Sequence, residues 1–156
     1  MAPTKQQLVE AYEADTRRVE GIAARLKEQD LSKTVYAGWS VRDILCHLAS
    51  TSGSAAYFIG MAQSGGQGVG SAFDIDKWNL EQVTARRGKS LGDILQEFRT
   101  GHDAGTKAVE GASDELMAKQ VPNFEGGMSS LADLIQGAST GHEAGHLDDV
   151  ERALGA

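Results

Sequence analysis

Two histidines near the C-terminus have the spacing of a metal-binding pair. The sequence there reads Gly141-His142-Glu143-Ala144-Gly145-His146. Residues four apart on a helix lie on one face, with Cβ atoms roughly 5–6 Å apart, so two imidazoles can hold one metal ion. The same stretch spells H-E-x-x-H, in which the glutamate acts as the general base of a zinc peptidase. Glu143 is therefore the candidate catalytic residue.

His47 is the strongest candidate for a third ligand. It lies on the flank of a predicted helix that begins after Ser40, and this places its ring towards a neighbouring helix. If the main helices alternate up and down, Ser40 and Ser130 begin at the same end. His47 and His142 then differ in depth by roughly 7–8 Å, which stagger and tilt can absorb. Three neutral imidazoles with open positions suit Zn, Ni or Fe(II) better than Mg or Ca.

Other polar residues on apolar faces have simpler explanations. His102 shares a face with apolar residues and is expected to be a hydrogen-bonded core histidine. Asp15 interrupts the apolar stripe of the first helix, where an unpaired carboxylate is costly. It is expected to pair with an arginine or a helix end, or to orient a metal-bound histidine. Cys46 lies opposite the stripe of its helix and is a poor ligand candidate.

Hydrophobic spacing predicts an all-α protein with four main helices and one shorter helix. Apolar residues recur at intervals of three and four, and each helix follows a residue that can cap it. The predicted main helices run from Lys5 to about Lys27, from Ser40 to about Ala62, from Ser90 through Val109, and from Ser129 or Ser130 through Leu154. The shorter helix runs from Asp74 to about Arg87, and no convincing period-two strand is predicted. These helices favour an antiparallel four-helix bundle with its site in the core.

Length and charge restrict the function further. The 156 residues are expected to form a single domain, 1–156. A formal net charge of −7 without a basic block argues against nucleic acid or an anionic membrane as partner. No apolar run approaches the ~20 residues of a membrane span, and the N-terminus does not resemble a signal peptide. A lone cysteine excludes an intramolecular disulfide, so the cytoplasm is the expected location.

A glycine-rich segment, residues 64–72, is expected to be a mobile loop. It contains the run SGGQGVG, which superficially resembles a phosphate-binding loop. No Gly-Lys-Ser/Thr follows it and no predicted strand precedes it, and both are needed for a nucleotide-binding loop. We therefore do not expect nucleotide binding.

Three segments resemble a known family. Residues 38–49, GWSVRDILCHLA, resemble the segment G-W-[ST]-[VP]-[RK]-[DE]-[LIV]-x-x-H-[LIV]-[AV] of DinB-like proteins, nearest the N-terminal domain of mycothiol-dependent maleylpyruvate isomerases. Residues 78–87, WNLEQVTARR, and the following residues 90–98 are similar to that family's Asn-containing helix and the helix after it. The closing pair His142 and His146 matches the family's terminal pair.

The resemblance implies a DinB-like four-helix bundle in which His47, His142 and His146 bind a divalent metal. It also implies a low-molecular-weight thiol such as mycothiol, which would bind the ion, lose its proton and attack a small electrophile. Full-length maleylpyruvate isomerases usually carry a further C-terminal domain, whereas this chain ends about ten residues after His146. The isomerase activity itself is therefore not transferred to this chain.

Three classes of function remain open at this stage. The first is a thiol-dependent transferase or isomerase, and the second is a non-catalytic, stress-related protein that binds a metal or a small molecule. The third is a zinc peptidase with Glu143 as base, but the short tail offers no distant third ligand and no strand could align a peptide. The expected partner is a small-molecule substrate or thiol. Bundles of this kind often pair, which makes a homodimer the working expectation.

Overall fold

Four long helical rods make up most of the protein. The structure is a computed structural model and describes residues 1–66 and 73–155. Its helices are α1 (Lys5–Arg25), a 3-10 helix (Glu28–Ser32), α2 (Val41–Thr51), α3 (Ser54–Ser64), α4 (Ile75–Arg86), α5 (Leu91–Gly111), α6 (Asp114–Ala118), α7 (Leu131–Ile135), a π-helical turn (Gln136–Thr140) and α8 (Gly141–Leu154). The first rod is α1, the second α2 with α3, the third α5, and the fourth α7, the π turn and α8.

The rods form a four-helix bundle, as predicted. The first rod packs against the third and fourth rods, and the second rod also packs against the third and fourth. The first and second rods therefore lie diagonally opposite each other. The predicted caps are confirmed, because the hydroxyls of Thr4, Ser40, Ser90 and Ser130 each accept a hydrogen bond from a backbone N–H of the first turn.

The core shows the direction of each rod. One apolar cluster contains Leu8, Phe58 and Ile135, and the other contains Val19, Ile44, Ile94 and Val150. The first and fourth rods run from the first cluster to the second, whereas the second and third rods run the opposite way. The order is thus up, down, down, up, and the alternation assumed for the depth estimate does not hold. The return between the second and third rods includes α4, which packs against α2 and gives the chain length to cross back.

A layer of buried polar residues separates the two apolar clusters. Each rod contributes at least one member at this level, and four of them are Asp15, Ser52, His102 and Glu143. These four residues are called the polar layer below. Burying such groups costs free energy unless they are hydrogen-bonded. The hydrogen-bond partners of these residues therefore affect the stability of the folded protein.

Two details of the secondary structure differ from the sequence-based prediction. The helix predicted from Ser40 to Ala62 is broken at Ser52 and Gly53 into α2 and α3. The break lies next to Gly101, where a Cβ would lie 1.9 Å from Ser52 Oγ and 2.8 Å from the Gly53 nitrogen. The third rod crosses the second at this point with no space for a side chain.

The second difference is a pair of short antiparallel hairpins where no strand was predicted. The first joins β1 (Thr34–Tyr36) to β2 (Trp39–Ser40), and the second joins β3 (Gln120–Pro122) to β4 (Met128–Ser130). Strands of two or three residues are too short to show a period of two. Residues 67–72, within the segment predicted to be a mobile loop, lie outside the described residues. In the described part of the chain, no helix has the length and apolar character needed to cross a bilayer.

Candidate functional site

The second and fourth rods bring three of the four histidines together. The Nε2 atom of His142 lies 3.2 Å from Nε2 of His47 and 3.0 Å from Nε2 of His146. One ring nitrogen from each histidine lies within 4.8 Å of the other two, and no further His, Cys, Asp or Glu of the described residues joins this group. The three histidines that the sequence analysis expected to lie together, His47, His142 and His146, are therefore adjacent in the structure.

The spacing of these nitrogens fits one transition-metal ion. Nitrogen ligands about 2.0–2.1 Å from a zinc ion, separated by angles of 90–110°, are roughly 2.9–3.4 Å apart. The two measured separations, 3.0 and 3.2 Å, fall in this range. A single proton can join only two of three facing nitrogens, whereas a cation can accept a lone pair from each of them. The donor set therefore suits a cation better than a hydrogen-bonded cluster.

The surroundings of the three imidazoles favour the neutral form of each ring by lowering its pKa. Burial lowers the pKa of His47 to about 3 and that of His142 to about 4, and neighbouring imidazoles add to both effects. Burial also lowers the pKa of His146. Only the neutral ring has a free lone pair for a metal, so the environment prepares these side chains for ligation.

The π-helical turn in the fourth rod decides which residues of the H-E-x-x-H stretch face the core. The backbone N–H of Gly141 donates to the carbonyl of Gln136, five residues earlier, and the wider turn shifts the following helix by one position. His142 and His146 are therefore half-buried on the flank facing the second rod, while Glu143 is 0% exposed. The side chain of this stretch that enters the core is thus Glu143, the candidate catalytic residue, and the two histidines lie at the edge of the core.

Glu143 belongs to the polar layer. Its Oε2 lies 2.7 Å from Nε2 of His102, and Nδ1 of His102 lies 2.7 Å from Oγ1 of Thr16. The Thr16 hydroxyl donates to the carbonyl of Tyr12, so it accepts from His102, and a proton lies between His102 and Glu143. Burial raises the pKa of Glu143. His102 is therefore the hydrogen-bonded core histidine expected from the sequence. Its hydrogen-bond partner at Nε2 is the carboxyl group of Glu143.

Asp15, the other carboxylate of the polar layer, is 6% exposed. Its Oδ2 and the hydroxyl of Tyr12 have no hydrogen-bond partner among the residues that the structure describes. Burial raises the pKa of Asp15 to about 7; the nearby Glu143 adds to the rise, whereas His102 and Arg18 oppose it. The direct pairing expected for this carboxylate is therefore not found in the described part of the chain.

A tyrosine that the sequence analysis did not single out holds His146 in place. The hydroxyl of Tyr36 donates to Asp149 and lies 2.9 Å from Nδ1 of His146. Burial raises the pKa of Tyr36 to about 12, and the bond from Tyr36 holds the pKa of Asp149 below its usual range. Because the phenol donates to Asp149, its oxygen accepts from Nδ1–H of His146. That tautomer leaves the Nε2 lone pair directed at His142.

A cavity of about 930 Å³ opens beside the histidines. His47 and His142 line it, and its walls come from α3, the start of α4, the β3–β4 hairpin and the fourth rod. Its aromatic lining residues are Tyr57, Phe58, Phe73, Trp78 and Phe124. The volume lies within the range of small-molecule sites, about 300–1,000 Å³. A small ligand in this cavity could contact the histidine cluster directly.

Replacing Gly141 with alanine is expected to disturb the cluster, because a Cβ there would lie 2.8 Å from the Gln136 carbonyl oxygen. Accommodating it should cost about 1–3 kcal/mol and should displace His142. We expect zinc affinity to fall at least about tenfold, as it does when ligand orientation is lost. Affinity would be measured by competition with a chromophoric chelator.

Gly145→Ala is the matched control for this prediction. Gly145 lies on the same helix between the same histidines, and an added Cβ meets no atom of the described residues within 4 Å. It should stabilise the helix by up to ~1 kcal/mol and leave zinc affinity unchanged. Equal zinc affinities for the two variants would show that the π turn does not position the histidines.

Replacing Tyr36 with phenylalanine should weaken zinc binding by about 10- to 100-fold, the usual effect of losing the partner of a ligating histidine. The variant removes the acceptor for Nδ1–H of His146 and leaves the ring in place. Zinc competition titration would measure the loss, and thermal unfolding of metal-free protein would show whether it is structural. Tyr57→Phe, at an exposed position of the cavity wall, is the control. An unchanged affinity for Tyr36→Phe would contradict the assigned role.

The four-helix bundle is that of DinB-like proteins, and sequence comparison identifies the family. The sequence profile of the mycothiol maleylpyruvate isomerase N-terminal domain matches residues 12–137. The chain belongs to this family. The match contains His47 and ends before His142. The closeness of His142 and His146 to His47 is therefore known from the distances in the structure and not from the profile. No curated protein matches the chain by sequence.

Two solved structures share the fold. The chain is similar to a mutant of the mycothiol-dependent maleylpyruvate isomerase, with a TM-score of 0.76, 9% identity and coverage of 95% of this chain and 61% of that one. It is also similar to YfiT from Bacillus subtilis, described as a probable metal-dependent hydrolase with an unusual four-helix bundle topology, with a TM-score of 0.75, 15% identity and coverage of 97% and 87%. The chain thus spans about three-fifths of the isomerase.

Proposed function

We propose that the protein is a thiol-dependent transferase or isomerase that binds one divalent transition metal through His47, His142 and His146. The observation that carries the proposal is the convergence of three neutral imidazoles at one edge of a cavity large enough for a small molecule. Family membership supports the use of a thiol cofactor, since the name of the family includes mycothiol, a low-molecular-weight thiol. Zinc, nickel and Fe(II) all suit three imidazoles.

The bound cation would supply one chemical effect, which is to favour the thiolate form of the cofactor over the thiol. The protein provides the rest. His47, His142 and His146 hold the cation, and Tyr36 keeps His146 in the ligating tautomer. The aromatic walls hold the electrophile beside the thiolate sulfur and exclude water. In a transfer, that sulfur forms a C–S bond and the leaving group departs with its electron pair.

A non-catalytic protein that binds metal or a small molecule is the second candidate. It would need the same histidines but no reactive thiol. The peptidase hypothesis has weaker support, because Glu143 is fully buried and its Oε2 bonds His102. A water molecule next to the histidine cluster would need a base in contact with the cavity, and Glu143 is not among the residues that line it.

Thiol dependence separates these candidates. Metal-loaded protein would be mixed with 1-chloro-2,4-dinitrobenzene and either mycothiol, bacillithiol, glutathione or no thiol, and thioether formation followed by absorbance. We expect turnover with one thiol only, and its loss in His142→Ala. Tight metal binding without turnover for any thiol would favour the binding protein. Casein cleavage that Glu143→Gln abolishes would instead favour the peptidase.

A further inference from the structure

Among the described residues that line the cavity, none has a positively charged Lys or Arg side chain that could contact a ligand. Its lining residues include two carboxylates, Glu125 at the β3–β4 turn and Asp133 in α7, but no Lys or Arg of the described residues. The undescribed residues 67–72, Gln-Gly-Val-Gly-Ser-Ala, contain none in their sequence either. An anionic group in this cavity would be desolvated beside like charges, which is unfavourable.

Among the described residues, most of the large apolar side chains that are exposed to solvent lie around this cavity. Tyr57, Phe73, Ile75 and Phe124 are each more than two-fifths exposed, and all four line it. Phe124 packs edge-on against Phe58, with ring centroids 6.0 Å apart, so the walls present ring faces and edges. Walls of this kind favour a flat apolar body.

Neutral hydrogen-bonding groups supply the remaining polarity. The hydroxyl of Ser129 is buried, lines the cavity and has no partner in the described part of the chain. Asn123 also lines the cavity, and its Oδ1 already accepts bonds from two backbone N–H groups of its own turn. Its amide NH₂ and the Ser129 hydroxyl can bond a carbonyl or hydroxyl group but cannot balance a full negative charge.

We propose that this cavity selects a small molecule with a flat, apolar body that carries no negative charge, and that it rejects molecules carrying a carboxylate on that body. If the proposed function holds, the cation is the one positive charge that the described site offers to a ligand, and the thiolate would reduce it from +2 to +1. The body of the electrophile, which lies away from the cation, would then meet no positively charged side chain among the described lining residues. Maleylpyruvate carries two carboxylates, so the inference separates this chain's substrate from a dicarboxylate of that kind.

A charge series built on one ring system tests the proposal. The probes are 2-naphthylmethanol, 2-naphthylmethylamine and 2-naphthoate, titrated calorimetrically into protein stripped of metal. We expect the alcohol and the amine to bind, and naphthoate to bind at least about tenfold more weakly than the alcohol. Naphthoate binding as tightly as the alcohol would overturn the proposal. Because this arm needs neither metal nor thiol, it remains informative if the proposed function fails.

Variants assign the selectivity to the cavity. In the double variant Glu125→Gln with Asp133→Asn, the ratio of amine to naphthoate affinity should fall at least about fivefold while the alcohol is unaffected. Trp78→Ala should weaken all three probes, since it removes a wall. An unchanged ratio in the double variant would contradict the electrostatic argument.

A third experiment tests the same selectivity in metal-loaded protein. Naphthalene-2,6-dicarboxylate can place one carboxylate at the cation, but the second has no positively charged partner among the described lining residues. It should therefore bind zinc-loaded protein at least about tenfold more weakly than 2-naphthoate. Equal affinities would overturn the proposal even if the metal and thiol chemistry were established.

Discussion

Replacing His47 with alanine is expected to reduce bound transition metal from about one ion per chain to nearly none. The variant leaves two imidazoles from one helix, His142 and His146, and removes the only candidate ligand contributed by the second rod among the described residues. Losing a ligand should cost more than the roughly 100-fold that loss of a ligand's hydrogen-bonding partner can cost. Elemental analysis of protein without a polyhistidine tag, after dialysis against a weak chelator, would measure the loss.

The fourth histidine provides the matched control. His102 is 3% exposed, and its Nε2 lies 2.7 Å from Glu143 in the polar layer. His102→Gln should keep the metal content of the parent although it removes a buried imidazole. Circular dichroism would verify that both variants are folded. Unchanged metal content in His47→Ala would remove His47 from the site and leave the proposed function without its main support.

Replacing Asp15 with asparagine is expected to stabilise the protein at pH 8 but much less at pH 5. In the folded protein, burial raises the pKa of Asp15 to about 7 from an ordinary value of 3.8. Between about pH 4 and pH 7 the folded state therefore binds a proton that the unfolded state has lost. The free energy of unfolding of the parent falls as pH rises through this window, by up to about 4 kcal/mol.

Asparagine cannot ionise, so the variant should not show this loss. The difference in unfolding free energy, variant minus parent, should grow by about 2–3 kcal/mol between pH 5 and pH 8. Urea titrations at four pH values, with metal removed from both proteins, would measure it. Asp103→Asn, at an exposed position of α5, should show a nearly constant difference. A constant difference for Asp15→Asn as well would contradict the raised pKa.

Much of this protein could be predicted from local sequence patterns. Thr4, Ser40, Ser90 and Ser130 cap their helices as expected, because capping depends only on residues within one turn. The same locality explains why a motif of two histidines four residues apart identified two of the three histidines of the candidate site. His47 was identified because its helical face and the resemblance of residues 38–49 both pointed to it.

Features that depend on contacts between distant segments were not predicted. The break at Ser52 and Gly53 arises where Gly101, far along the chain, packs against that backbone. Tyr36 lies in a short hairpin that has no helical or strand periodicity, so nothing in its neighbourhood indicated a contact with His146, 110 residues away. The up-down-down-up order of the rods likewise depends on which apolar faces meet.

The amino-acid sequence by itself determined the four rods, their caps, the family and the three candidate histidines, because each of these is encoded within a few neighbouring residues. Only the tertiary structure decided which way each residue of the last helix faces. A single π-helical turn at Gln136–Thr140 rotates that helix, so that Glu143 enters the core beside His102 while His142 and His146 meet His47. Periodicity assumes a regular helix, and one extra residue in a turn shifts every side chain that follows.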